Sequence, residues 1–171
     1  MTPEQATFLA QQYAQLMRGE FPATCKVLAA VTEDGRGYRP DDKSRTAWEL
    51  ATHLATTDVW FLDSVLNGAF AWDPEAGKKA EAAFRSVADV VAYYEKTFPA
   101  KIDAVLAMPG KDLAKTIDFF GFMQGPAVGF MGMGNNHGIH HRGQLAAYLR
   151  AMGSKVPAIY GGSADEPMAG M

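Results

Sequence analysis

The sequence predicts an all-α fold, a four-helix bundle. Three observations carry that reading. Four stretches place apolar residues at the 3.6-residue period, helix-start signals precede them, and no two stretches alternate as paired strands do. The 171 residues suit one domain with a sizeable core. We expect residues 1–162 to form that domain and residues 163–171 a loose C-terminal tail.

The first helix opens on Thr2 as N-cap, with Pro3 at the first helical position and Gln5 closing a capping box. Its apolar phase runs through Leu9, Tyr13, Leu16 and Met17, then Thr24, Val27, Leu28 and Val31. Gly19 and Pro22 interrupt the propensity but not the phase. The reading is therefore one helix kinked near Pro22, with two short helices as the alternative. Residues 33–45 are loop by composition. A second helix starts at Thr46-Ala47-Trp48-Glu49, another capping box, and runs past His53 and Trp60 to the stop signal Asn67-Gly68.

Residues 71–85 read as a second connection, and Ser86-Val87-Ala88-Asp89 opens the third helix. Its stripe is Val87, Val90, Val91, Tyr94, Phe98, Ile102 and Val105, with Pro99 predicting a kink and Pro109-Gly110 the stop. Residues 113–125, with Phe119, Phe120 and Phe122, read as an apolar loop under the bundle or a short extended segment. The fourth helix spans Pro126 to Met152 and carries Gly129, Gly132, Gly134, Gly138 and Gly143. Each glycine costs about 1 kcal/mol of helix propensity against Ala, so close approach by a neighbouring backbone is expected there. Gly153 is the natural C-cap, and Val156-Pro157 cannot continue the helix.

Composition excludes several classes. Charged residues make up 20% and the hydrophobic set 48%, a globular balance. The net charge is −3 and no basic stripe exists to follow a phosphate backbone, so nucleic-acid binding is not expected. The single Cys25 rules out an internal disulfide or a CxxC motif and reads as a small buried hydrophobe. No run of 18 apolar residues predicts a membrane span. The opening Met-Thr-Pro-Glu-Gln lacks a secretory pattern, which predicts a cytoplasmic protein.

Chemistry concentrates in four histidines: His53 on the second helix, and His137, His140 and His141 on the fourth. His137 and His141 are four residues apart, about 40° from sharing one face. Two imidazoles from one helix and one from a facing helix make a three-histidine site for a divalent ion. Neutral imidazole suits several metals, so the ligands do not name one. His140 lies about 100° from His141 around the helix and reads as a supporting or surface residue. A His137/His140 pair is the geometric alternative. His53 beside Leu50 and Leu54 also fits a core histidine with no ligand role.

The run Asn136-His137-Gly138-Ile139-His140-His141-Arg142-Gly143-Gln144-Leu145 resembles the C-terminal signature of the DinB/YfiT-like family. So do Tyr148-Leu149-Arg150, Gly153, Val156-Pro157 and Tyr160-Gly161, and residues 44–53 resemble that family's second-helix start. The resemblance implies a four-helix bundle, often dimeric, with a divalent metal (zinc or nickel first) held by His53, His137 and His141. It also implies either thiol S-transfer to a small electrophile, using a low-molecular-weight thiol, or thiol-dependent isomerisation.

Asn136 and Gln144 are candidates to orient an imidazole, and Glu49 to orient His53 or act as a base, although its capping box already explains it. Arg142 and Arg150 are candidates for a substrate carboxylate, or ordinary cations near a helix end. Tyr93, Tyr94, Trp60, Met131 and Met133 read as core. No nucleophilic triad or nucleotide loop stands out. The expected function is thus metal-dependent thiol transfer acting on a small molecule, with the protein as a homodimer. Amide or ester hydrolysis and a non-enzymatic, metal-stabilised stress or binding protein are the alternatives.

Overall fold

Three of the four long helices begin on a hydroxyl side chain that satisfies one of their first N–H groups, and the last begins without such a cap. A computed structural model describes residues 1–168, apart from the side chains of Pro74 and Ala76. Helix α1 (Pro3–Ala29) carries both bonds of the predicted capping box: Gln5 N–H donates to the Thr2 hydroxyl, and Thr2 N–H donates to Gln5 Oε1. It runs through Pro22 as one helix. Helix α2 (Ala47–Asn67) is capped the same way by Thr46 and Glu49 and ends on Gly68, in the left-handed region at φ 64°. Then come α3 (Pro74–Ala82), α4 (Val87–Leu106), the single turn α5 (Gly110–Leu113), strands β1 (Thr116–Phe119) and β2 (Met123–Pro126), and α6 (Gly129–Ala151).

Helix α2 packs on α4 and α6, and α1 packs on the same two, so α1 and α2 lie diagonally across the bundle. The core between them is one cluster of buried apolar side chains. On α1 the buried face is made by Ala6, Ala10, Ala14 and Met17, while Leu16 is 55% exposed. The large residues Leu9, Tyr13 and Leu16 set the phase in the sequence, but alanines let α1 sit closer to its neighbours.

Two local expectations need correction. The connection over 71–85 contains α3, which Asp73 caps by accepting from Glu75 N–H, with Pro74 at the first position. Of the two readings for residues 113–125 the extended one holds at β1 and β2, which pair antiparallel across a turn, with Thr116 opposite Pro126. Pro126 therefore closes a strand and does not open the last helix, which starts at Gly129. Residues 163–168 fold back on the end of α6. There the Asp165 carboxylate accepts from Arg150 and from Val156 N–H, and the Ser163 hydroxyl donates to Val156 O. The last three residues of the expected tail, 169–171, lie outside the described residues. No described helix is long and apolar enough to cross a membrane.

The glycines of α6 divide by face. A Cβ on Gly134 would stand 2.9 Å from Phe61 Cβ, and one on Gly132 would stand 2.8 Å from the Tyr13 ring. A Cβ on Gly143 would meet nothing within 4 Å. We expect Gly134→Ala to destabilise the protein, because Phe61 Cβ cannot swing aside as a side-chain tip can. Gly143→Ala should stabilise it by about 0.5–1 kcal/mol through helix propensity alone. Urea midpoints of the two variants check this, and equal shifts would refute the close packing.

Candidate metal centre

The close approach of α6 to α2 builds the site. Gly134 and Gly138 lie against Phe61 and Asp58 of α2, so the next turn of α6 brings His137 and His141 onto His53. Ring centroids are 5.1 Å apart for His53 and His137, 4.6 Å for His53 and His141, and 4.3 Å for His137 and His141. One ligand atom from each of the three lies within 4.8 Å of the other two.

Each ring turns its Nδ1 towards a different group. His53 Nδ1 pairs with the Thr57 hydroxyl at 3.1 Å, and His141 Nδ1 donates to Gln144 Oε1 at 2.8 Å. His137 Nδ1 faces Asp58 Oδ1 at 3.6 Å, and these two buried atoms have no hydrogen-bond partner. That leaves Nε2 of every ring for the centre. His53 Nε2 and His141 Nε2 stand 3.3 Å apart. Two nitrogens bound at about 2.0–2.1 Å to one tetrahedral ion stand about 3.3–3.4 Å from each other. The donor set therefore fits a divalent ion. The orphaned His137–Asp58 contact fits it too, because a metal on Nε2 fixes the proton on Nδ1, where it points at the carboxylate.

Electrostatics favour the neutral rings that a metal requires. Burial pushes His53 down to about 3, and the Arg45 cation and the other two rings add to this. Burial pushes His141 down to about 4, against the opposing hydrogen bond from Gln144. Burial raises the Asp58 carboxyl, and its contacts with His137 and with the Tyr94 hydroxyl, which donates to Asp58 Oδ2 at 2.9 Å, counter it.

The other candidates scatter. His140 is exposed, outside the convergent group, with its ring 4.9 Å from that of His141. Asn136 is exposed and lines a cavity with Tyr13 and Leu16. The Glu49 carboxylate accepts from the Thr46 N–H and hydroxyl, contacts that hold it below the usual range. Arg142 is buried and donates to Thr24, to the backbone and carboxylate of Glu20, and to the Tyr160 hydroxyl. With Arg150 paired to Asp165, neither arginine is open to a substrate carboxylate. Sequence reasoning missed Thr57, Asp58 and Arg45. For Asp58 a signal existed, a carboxylate set just before the apolar run Val59-Trp60-Phe61-Leu62.

Fold and donor set together define the class first: an all-α bundle in which three histidines from two helices converge as a possible metal site. Residues 18–145 match the DinB superfamily and residues 133–169 the DinB family, and the chain belongs to that superfamily. It is similar to a DinB-like protein from Bacillus cereus at 26% identity, covering 88% of this chain and 97% of that one, with a TM-score of 0.72. A DinB-like protein from Bacillus subtilis shares the fold at 20% identity, covering 84% and 93%, with a TM-score of 0.66. No curated protein matches the chain.

Proposed function

We propose that this protein is a divalent-metal-dependent enzyme that transfers a low-molecular-weight thiol to a small electrophile. The observation that carries the reading is the convergence of three imidazoles on one point, each with its Nδ1 turned to a separate group. His53, His137 and His141 would hold a zinc or nickel ion, whose full double charge would lower the pKa of a thiol or water brought to it. Thr57 and Gln144 hold two of the rings by hydrogen bonds, and Asp58 faces the third. In the reaction a carbon–sulfur bond forms, the leaving group departs with its electron pair, and the thiol proton goes to water.

Hydrolysis of an amide or ester is the second reading. It calls for a base beside the attacking water, and the nearby carboxylates are engaged elsewhere. Asp58 is buried behind His137, and Glu49 caps α2. The test is turnover of 1-chloro-2,4-dinitrobenzene with a panel of thiols, on zinc- or nickel-loaded and chelator-stripped protein. Thiol-dependent turnover that disappears on stripping is expected. Thiol-independent hydrolysis of nitrophenyl esters in its place would overturn the reading.

Elemental analysis should find about one divalent ion per chain. His141→Ala should lose it and His140→Ala keep it, and the reverse would show the wrong face of α6. We also propose a homodimer, supported by exposed apolar side chains at Leu16 (55%), Phe122 (86%) and Met123 (48%). Light scattering that gives a monomer mass at every concentration would rule it out.

A further inference from the structure

His53 is the shared wall of two cavities of opposite chemistry. On one side, a cavity of about 310 Å³ is lined by Ser44, Arg45, Gln144 and Tyr148 together with His53 and His141. On the other, one of about 400 Å³ is lined by Thr57, Val59, Trp60, Trp72 and Tyr93 with His53. Both volumes fall in the range of small-molecule sites, about 300–1,000 Å³. From this geometry we propose that the centre takes two ligands at once: an anionic one on Arg45 and an uncharged aromatic one against Trp60 and Trp72. The proposal rests on the metal-centre reading above and adds to it the chemistry of both substrates.

Arg45 differs from its neighbours. Arg18, Arg36, Arg39, Arg142 and Arg150 are all ion-paired, whereas the Arg45 and Arg85 side chains make no ion pair or hydrogen bond among the described residues, and of these two it is Arg45 that lines a cavity with His53. Its loop is nonetheless built. Ala47 N–H donates to Tyr38 O, Trp48 N–H donates to Arg36 O, and the Asp41 carboxylate accepts from Ser44. The Arg36 guanidinium lies over the Trp48 ring at 3.6 Å. An unpaired guanidinium at a cavity mouth, on an anchored loop, is a carboxylate site. Two carboxylates share a cavity with Arg45: Glu49, already engaged by Thr46, and Glu81, which forms no ion pair with it.

The second cavity has an apolar floor and an acidic rim. Trp60 is fixed by its indole N–H, which donates to Ala71 O, and by stacking on Phe120 with an interplanar angle of 2°. Trp72 stands edge-on to Trp60, with centroids 6.2 Å apart, yet is 70% exposed. A large exposed indole beside a second one offers a flat ligand a face that the core does not use. Asp73 and Glu81 at the rim disfavour an anion there, while Asp63 is paired with Lys101. The two cavities therefore sort ligands by charge. Transfer between two molecules needs both beside the reacting centre, whereas hydrolysis needs one molecule and water.

The experiment uses zinc-loaded full-length protein with zinc content measured in every sample. Calorimetry compares 3-mercaptopropionate with 3-mercaptopropionamide, and quenching of tryptophan fluorescence follows 2-naphthol. We expect the carboxylate to bind about tenfold tighter than the amide, and Arg45→Gln to erase that preference while leaving the naphthol Kd unchanged. Trp72→Ala should weaken naphthol about tenfold and leave the carboxylate preference intact. Each ligand should bind with the other at saturation. Zinc-replete protein in which Arg45→Gln keeps the preference, or in which the two ligands compete, overturns the proposal alone. Protein that takes up no zinc overturns the metal reading, and there the naphthol arm and its Trp72→Ala control still decide the aromatic cavity.

Discussion

Replacing Asp58 by alanine is expected to lower the unfolding free energy by about 2–4 kcal/mol and to weaken divalent-metal binding by about 10- to 100-fold. Asp58 is 4% exposed and accepts from the hydroxyl of Tyr94, itself 1% exposed. Its loss strips a buried phenol of its acceptor and leaves a void that Gly138, against which the carboxylate packs, has no side chain to fill. It also removes the group that His137 Nδ1 faces. Asp58→Asn separates the two effects. Burial raises the Asp58 carboxyl towards its neutral form in metal-free protein, and asparagine resembles that form in shape and charge. Stripped Asp58→Asn should therefore unfold near the wild-type midpoint yet bind metal more weakly. Urea denaturation with and without chelator, together with a metal-competition titration, reads both. Wild-type metal affinity in both variants would show that the carboxylate does not support His137.

What the sequence disclosed and what it hid follow one physical division. Local rules act within one turn of helix, and they were legible. Both predicted capping boxes are closed by their two hydrogen bonds, and the spacing of His137 and His141 places both on one face. The paired strands were hidden because each is only four residues long, too short to show alternation. Their turn also uses Phe120 and Gly121 at φ 54° and 76°, not the familiar Asn-Gly. Helix α3 was hidden because its residues are mostly exposed and so leave no apolar stripe. Asp58 and Arg45 were hidden for a further reason. Their significance comes from what the opposite helix or a loop end brings near them, and spacing within one helix does not encode that. The three histidines that converge were legible, and the groups that the fold sets beside them were not.

Acidification should separate metal-loaded from stripped protein, and the imidazoles set the sign. An unfolded histidine titrates near about 6.5. In the folded, metal-free chain burial holds His53 at about 3 and His141 at about 4. Both folded values lie below the unfolded one, so the unfolded chain binds protons first as pH falls. The stability tied to the neutral rings is therefore present above pH about 6.5 and is lost as pH falls towards 4 and then 3. Stripped protein is thus expected to melt at lower temperature in acid even with no metal to release. A bound ion adds a second effect of the same sign, since protons compete with it for all three rings. At neutral pH the loaded protein should melt higher, by the equivalent of about 2.7 kcal/mol if metal is present at a hundred times its Kd. As pH falls towards 4 and then 3, where the folded rings of His141 and His53 take up protons, its curve should fall more steeply and join that of the stripped protein. Stripped His141→Ala, with one depressed imidazole fewer, should be less acid-sensitive than stripped wild type. Two series of melting curves against pH, with and without metal, measure all of this. A gap that stays constant down to pH 3 would mean that the ion sits elsewhere, and no gap at any pH would mean that the three rings hold none.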